Sequence, residues 1–319
     1  MNHDIRYDWT LEEIETLYNR PLLDLVFDAA TVHRQFHDSS DIQKCSLVSI
    51  KTGACPEDCS YCSQSSRYNT DLEREPLMEI EEVVNLARKA KAKGASRLCM
   101  GAAWRNAKKG KEFDTVLQMV RRVRDEGLET CVTLGMLDGE QAHQLKEAGL
   151  VTYNHNLDTS RENYPNIITT RTYEHRLETL RHVRDADLRV CCGGIIGLGE
   201  SSRDRCSLLQ TLASFTPHPE SIPVNRLVPI AGTPLGDTPP VDDFDLVRTI
   251  ATTRLVCPKA RVRLSAGRKA LSRETQTLCF LAGANSIFFG DSLLTTPNNE
   301  PDDDAKLFDS LGLESIHVA

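Results

Sequence analysis

Apolar residues fall into two alternating rhythms along this chain, a helical spacing and a strand spacing. In residues 10–37, Leu22, Leu23, Val26 and Phe27 recur at helical intervals, and Thr10 with Glu13 forms a capping box at the start. Cys45–Ile50 reads as a short strand. Helices are then predicted over 79–93, 112–126, 138–148, 172–186, 202–214, 242–256, 272–282 and 303–311. Strands are predicted over 97–101, 129–134, 151–157, 188–193, 220–228, 261–265 and 285–289. Gly94, Gly127, Gly149 and Gly283 stand where helix C-caps are needed. Strict alternation of strand and helix implies a parallel sheet. Eight such units predict an α/β fold, a (β/α)8 TIM-type barrel over residues 41–319, preceded by an N-terminal helical extension over 1–40. An open doubly wound sheet is the alternative. No G-x-G-x-x-G follows the first strand, and Gly197-Leu198-Gly199-Glu200 comes only after the fifth.

Strand parity says what such a barrel would contain, because side chains alternate between its two faces. Placing Leu98, Met100, Val132, Leu134, Leu188, Val190, Val262 and Leu264 against the helices sends Cys99, Cys131, Thr133, Arg189, Cys191, Arg261, Arg263 and Ser265 inward. Asn154, Asn156, Asp158, Asn225 and Lys51 follow them. So polar an interior is costly unless its groups are paired or ligated. Three inward thiols and one further donor would complete a [2Fe–2S] site. The nearest inward donors are arginines, which normally stay protonated, so the residues alone leave that fourth ligand open. Cys45, Cys192, Cys206, Cys257 and Cys279 read as inert core thiols, and His155 as a structural histidine on the helix side. The polar residues have structural readings too: Asn154 and Asn225 as partners of buried backbone, Asp158 as a turn or cap residue, Arg176 as half of an exposed ion pair.

After the first strand comes Cys55-Pro-Glu-Asp-Cys59-Ser-Tyr-Cys62, spaced C-x3-C-x2-C. Three thiolates can hold three irons of a cubane cluster and leave the fourth open to a ligand. A zinc knuckle would want a second close pair, and none is adjacent.

Composition narrows the class. The 319 residues are 40% apolar and 26% charged, enough for a sizeable core. A net charge of −8 without a basic block argues against nucleic acid. No run approaches the ~18 apolar residues of a membrane span, and Met1–Arg6 has no apolar signal core. The chain therefore reads as cytoplasmic, where clustered cysteines among its eleven point to metal or catalysis rather than disulfides.

The triplet, with Tyr61 before its last cysteine, resembles the radical S-adenosylmethionine superfamily. Lys51-Thr-Gly-Ala-Cys-Pro-Glu-Asp-Cys59, Gln64–Tyr68, Cys99–Trp104, Tyr153-Asn-His-Asn-Leu-Asp158, Ile168–Tyr173, Gly193–Glu200, Val262–Arg268 and Gly283–Gly290 are similar to the biotin synthase family within it. The resemblance implies a sulfurtransferase that converts dethiobiotin to biotin, the last step of biotin biosynthesis. It implies a [4Fe–4S] cluster on Cys55, Cys59 and Cys62 that cleaves S-adenosyl-L-methionine to a 5′-deoxyadenosyl radical. It implies a sulfur-donating [2Fe–2S] cluster on Cys99, Cys131, Cys191 and Arg263. Tyr61, Asn156, Asp158 and Arg176 would meet S-adenosylmethionine, while Asn154, Asn225, Thr295 and Thr296 would meet dethiobiotin. An electron donor such as flavodoxin or ferredoxin and a homodimer are implied as partners. Ser63 departs from the family where many members carry Pro, and Cys192 where Ser is frequent, so Cys192 could compete with Cys191. A radical enzyme of different outcome, such as a mutase or a hydrogenase-cofactor maturase, need not carry the strand thiols. A non-catalytic iron–sulfur or zinc protein would not explain the polar barrel.

Overall fold

The structure, a computed structural model, describes residues 5–290 and 293–316. Helices α1 (Leu11–Tyr18) and α2 (Leu22–Phe36) lead into β1 (Asp41–Lys51). Then follow α3 (Ile80–Ala92), β2 (Arg97–Ala102), α4 (Lys111–Asp125), β3 (Glu129–Thr133), α5 (Gly139–Glu147) and β4 (Thr152–Asn154). Next are α6 (Tyr164–Ile167), α7 (Tyr173–Asp185), β5 (Arg189–Cys191), β6 (Gly194–Ile196), α8 (Ser202–Ala213), β7 (Ser221–Arg226) and α9 (Asp243–Val256). The chain continues through β8 (Arg261–Leu264), α10 (Arg273–Leu281), β9 (Ser286–Phe288), α11 (Pro301–Leu311) and β10 (Glu314–Ser315). All strand pairings are parallel, in the order β1-β2-β3-β4-β5-β7-β8-β9. Pairing of β9 back onto β1 closes the barrel, so the open-sheet alternative is excluded. Among the described residues no helix is long and apolar enough to cross a membrane.

Each predicted strand and helix is present. The capping box at Thr10 forms, and Gly127 and Gly149 follow their helices with φ of +80° and +94°. The fifth stave is broken where one strand was predicted: β5 ends at Cys191 and β6 resumes at Gly194. The cause lies on the neighbour. Pro223 of β7 has no N–H to give the ladder, and a Cβ on Gly193 would sit 2.0 Å from the Pro223 carbonyl oxygen. β1 begins at Asp41 rather than Cys45 because Asp41 and Ile42 pair with β10 outside the barrel. The short α6 has too few residues to show a period.

Parity is borne out. Leu98, Met100, Val132, Leu134 and Val190 join one helix-side cluster, and Val262 and Leu264 another. Cys99 and Cys131 lie apart from both, with Phe288. One expectation is corrected: Cys45 belongs to this inner cluster, not to the helix-side core.

Two sets of buried titratable groups bear on stability. Arg268 makes a bidentate pair with Asp304 at 2.5 and 2.7 Å, both side chains buried, which ties α11 to the loop after β8. Asp304→Ala should cost about 3–5 kcal/mol because it leaves a buried guanidinium unpaired; urea unfolding reads the loss. At the end of α2, burial and then the neighbouring Arg254, His37, Arg34 and Arg261 hold His33 neutral, with its pKa lowered to about 3. Unfolding frees that imidazole to take up a proton at its ordinary value near 6.5. Stability should therefore fall as pH drops below about 6.5 toward 3, by up to about 1.4 kcal/mol per pH unit from this group. Urea midpoints at pH 7 and 5 for the parent and His33→Gln test this, and the variant should show the shallower slope.

Candidate active site

The cysteine triplet sits on the loop after β1, at the C-terminal mouth of the barrel where such folds keep their chemistry. Gly53 and Ala54 turn the chain there with φ of +73° and +57°. The loop is pinned from both sides. Cys55 N–H donates to the Gln64 carbonyl at 2.9 Å and Ser66 N–H to the Cys55 carbonyl at 2.7 Å. Ser60 N–H donates to Ile167 at 3.0 Å. The Asp58 carboxylate accepts from Thr169 N–H at 3.0 Å and from Thr170 N–H at 3.2 Å, with both threonine hydroxyls as well. Burial pushes the Asp58 carboxyl up, but these hydrogen bonds outweigh it and hold it at about 2. Burial pushes the Cys59 thiol up to about 11, with Arg171 pulling the other way. It pushes Cys62 up to about 12, with Cys59 adding to the shift. A metal that takes these thiols as thiolates must displace their protons.

Two adjoining cavities of about 220 and 250 Å³ fill the mouth. The first is lined by all three triplet cysteines, Tyr61, Asn156, Asp158 and Arg176. The second is lined by Asn225, Thr295, Thr296, Cys99 and Phe288. Tyr61, Cys62, Thr133, Asn154 and Asn156 line both. Asp158, at φ +69°, pairs with Arg176, whose Nε donates to the Tyr164 hydroxyl at 2.9 Å. Arg176 is only 5% exposed, so this pair is not the solvated one that a helix position suggests. Asn225 serves the backbone, as its structural reading proposed, and so does Asn156. Asn225 donates to Gly194 O and accepts from Ala266 N–H. Asn156 accepts from Gly193 N–H at 3.1 Å, which leaves its amide N–H groups to donate. Asn154 instead donates to the Cys191 thiol at 3.6 Å, linking the two layers of the site. His155 is buried, and burial followed by Arg176 and Arg171 lowers its pKa.

Below the mouth, Cys99 and Cys131 are paired in register on β2 and β3, and Cys191 stands beside Asn154. Arg263 reaches Cys191 from Nη1 at 3.7 Å and Cys45 from Nη2 at 3.2 Å, and is fully buried. Cys192 packs in the helix-side cluster, away from these groups. Arg97, buried beneath them, leaves Nε and Nη1 without hydrogen-bond partners among the described residues, and Arg261 leaves Nη1. Orphaned cationic donors around buried thiols suit an anionic sulfide-bearing group. Among the described residues no three His, Cys, Asp or Glu side chains are close enough to share a single ion. A cluster is held differently, by thiolates on separate irons.

Three features were missed by sequence reasoning. Arg171 donates from Nη2 to the Cys59 thiol at 3.7 Å and lines the first cavity; its place in the Ile168–Tyr173 motif was the available signal. Glu57 is buried beside Arg171 and Arg105. Ser63, singled out only as a departure from the family's Pro, hydrogen-bonds the Thr295 hydroxyl at 2.9 Å and so ties the triplet loop to the far rim.

Two family models match the chain. The radical SAM superfamily model covers residues 49–212, and that of the biotin and thiamin synthesis associated domain covers 223–314. The biotin synthase of Methylorubrum populi is 60% identical over 98% of this chain and 92% of that protein. The chain belongs to the biotin synthase family. Biotin synthases of Cytophaga hutchinsonii and Photobacterium profundum are 58% and 56% identical, over 98% and 99% of this chain and 92% and 90% of those proteins. In solved structures the fold is shared with methylornithine synthase, at TM-score 0.82 and 18% identity, covering 98% of this chain and 95% of that one. It is shared also with a maturase of the [FeFe]-hydrogenase, at TM-score 0.84 and 18% identity, covering 97% and 72%. The chain is thus an enzyme of biotin synthesis, a sulfurtransferase using radical chemistry with a [4Fe–4S] cluster and S-adenosylmethionine.

Proposed function

We propose that the mouth of this barrel converts dethiobiotin to biotin. In this reading Cys55, Cys59 and Cys62 hold the [4Fe–4S] cluster, and Cys99, Cys131, Cys191 and Arg263 hold a second, [2Fe–2S] cluster. When bound, the outer group supplies the electron that releases a carbon radical from S-adenosylmethionine, and the inner group supplies sulfur. The chain's own part is to bind, orient and keep water away. Tyr61, Asn156, Asp158 and Arg176 line the cavity beside the triplet, where a carboxylate on one side and amide donors on the other suit an amino acid headgroup. Asn154, Asn225, Thr295 and Thr296 line the cavity above Cys99, where amides that both donate and accept suit a ureido ring. Leu227, Ile230 and Phe288 give it apolar wall.

The observation that carries this reading is the shared lining. Cys62 borders both cavities and Cys99 borders the second, so a substrate there would lie between the radical source and the inner thiols. The test is anaerobic reconstitution with iron and sulfide, followed by an assay on dethiobiotin with S-adenosylmethionine and a low-potential flavodoxin or ferredoxin. Biotin formation with iron and sulfide for both clusters supports the reading. Stoichiometric zinc without sulfide refutes it. A homodimer is part of the same proposal. Leu23 and Phe27 on α2, and Phe244 on the adjacent α9, are exposed large apolar side chains, and a second copy would cover them.

A further inference from the structure

The proposed function leaves one inner donor unused. Cys45 lies on β1, fully buried, in one cluster with Cys99, Cys131 and Phe288. Its Sγ is 3.2 Å from Arg263 Nη2, nearer than Cys191 Sγ is to Nη1 at 3.7 Å. The Cys99 thiol interacts electrostatically with Cys45 as well as with Cys131. The neighbour in register on β2 is Arg97, only 4% exposed, with Nε and Nη1 unpartnered among the described residues. An inert core thiol packs among aliphatic side chains. Cys45 instead stands among the donors of the inner site, against the side chain that serves there as the one nitrogen ligand. A thiolate is the softer and stronger ligand for cluster iron, while a guanidinium must first give up a proton to ligate at all.

We propose that Cys45 is a further iron ligand of the inner site, exchanging with Arg263. This rests on the reading of Cys99, Cys131 and Cys191 as holders of an iron–sulfur cluster. In the exchange the iron–nitrogen bond to Arg263 breaks and an iron–sulfur bond to Cys45 forms. The Cys45 thiol proton passes to the released guanidine across their contact. No electron moves, and no proton enters or leaves the protein. The guanidinium then stays in place, donating from Nε to Ser286 Oγ at 3.0 Å and lying over the Phe288 ring. The inner site thereby has two ligand sets, one with a nitrogen and one all thiolate.

The test reconstitutes the parent, Cys45→Ser, Arg263→Met and the double variant anaerobically. It reads iron and acid-labile sulfide per chain, the resonance Raman iron–sulfur pattern and the reduction potential. Arg263→Met should keep the inner iron and sulfide, with an all-thiolate pattern and a more negative potential, because a thiolate adds negative charge at iron. Cys45→Ser should keep the parent pattern. The double variant should lose the inner iron and sulfide while holding the outer cluster, whose content is the folding control. A double variant with the same inner iron and Raman pattern as Arg263→Met overturns the proposal, as does loss of the inner cluster in Arg263→Met alone. A parent chain that binds only the outer cluster fails the underlying two-cluster reading instead, and is told apart by its own iron count.

Discussion

Cys59→Ala is expected to abolish reductive cleavage of S-adenosylmethionine, and with it all biotin formation. In the proposed reading the triplet provides three ligands from eight residues, and no spare cysteine lies on its loop. Removing the middle one leaves two thiolates on a cluster that needs three from the protein. The loop itself should survive, because its anchors are elsewhere: Asp58 on the Thr169 and Thr170 amides, Ser60 on Ile167, and Cys55 on Gln64. Truncating one buried sulfur should cost only about 1 kcal/mol of apo stability. The measurements are iron content, 5′-deoxyadenosine release and a urea melt of the metal-free protein. Retained cleavage would remove Cys59 from the ligand set; a collapsed melt would make it a structural residue instead.

The second large effect separates the two layers. Cys131→Ala should leave S-adenosylmethionine cleavage in place and eliminate biotin. Cys131 is fully buried, paired in register with Cys99, and lines neither cavity at the mouth. Its loss therefore leaves the lining of both cavities, where the proposed radical-generating groups sit, untouched. If the inner thiols held no sulfur donor, this variant would form biotin at the parent rate once corrected for folded fraction. If they hold it, 5′-deoxyadenosine accumulates without product, and the inner iron and sulfide fall while the outer remain. Cys191→Ala should behave alike, with the added loss of the Asn154 and Arg263 contacts to that sulfur.

Much of this arrangement was legible because periodicity and parity are local. Cys99, Cys131 and Cys191 declared themselves through the apolar neighbours that must face the helices, and Cys192 was separated from Cys191 by one step of the pleat. The barrel followed from the alternation of elements, and its closure needed only the pairing of the last strand with the first. What could not be read was tertiary. The break after Cys191 comes from Pro223 on another strand, with the consequence that Gly193 and Gly194 deliver backbone to Asn156 and Asn225. Arg176 follows ordinary helical spacing, and only Asp158, brought back at positive φ, turns it into a buried partner. Cys45 was taken for core because a single strand cysteine usually is, and its company becomes visible only when β9 closes on β1. Ser63 looked like a loop residue until Thr295, more than two hundred positions away, stood beside it.

The central claim is that sulfur held by the inner thiols reaches the substrate from within the barrel. The most direct measurement rebuilds the inner cluster with a heavy isotope of sulfide, removes free sulfide, and runs a single turnover on dethiobiotin with natural-abundance sulfur in the medium. Biotin carrying the heavy isotope, with matching loss of inner sulfide, is the expected result. Unlabelled biotin formed while the heavy sulfide stays on the protein would contradict it.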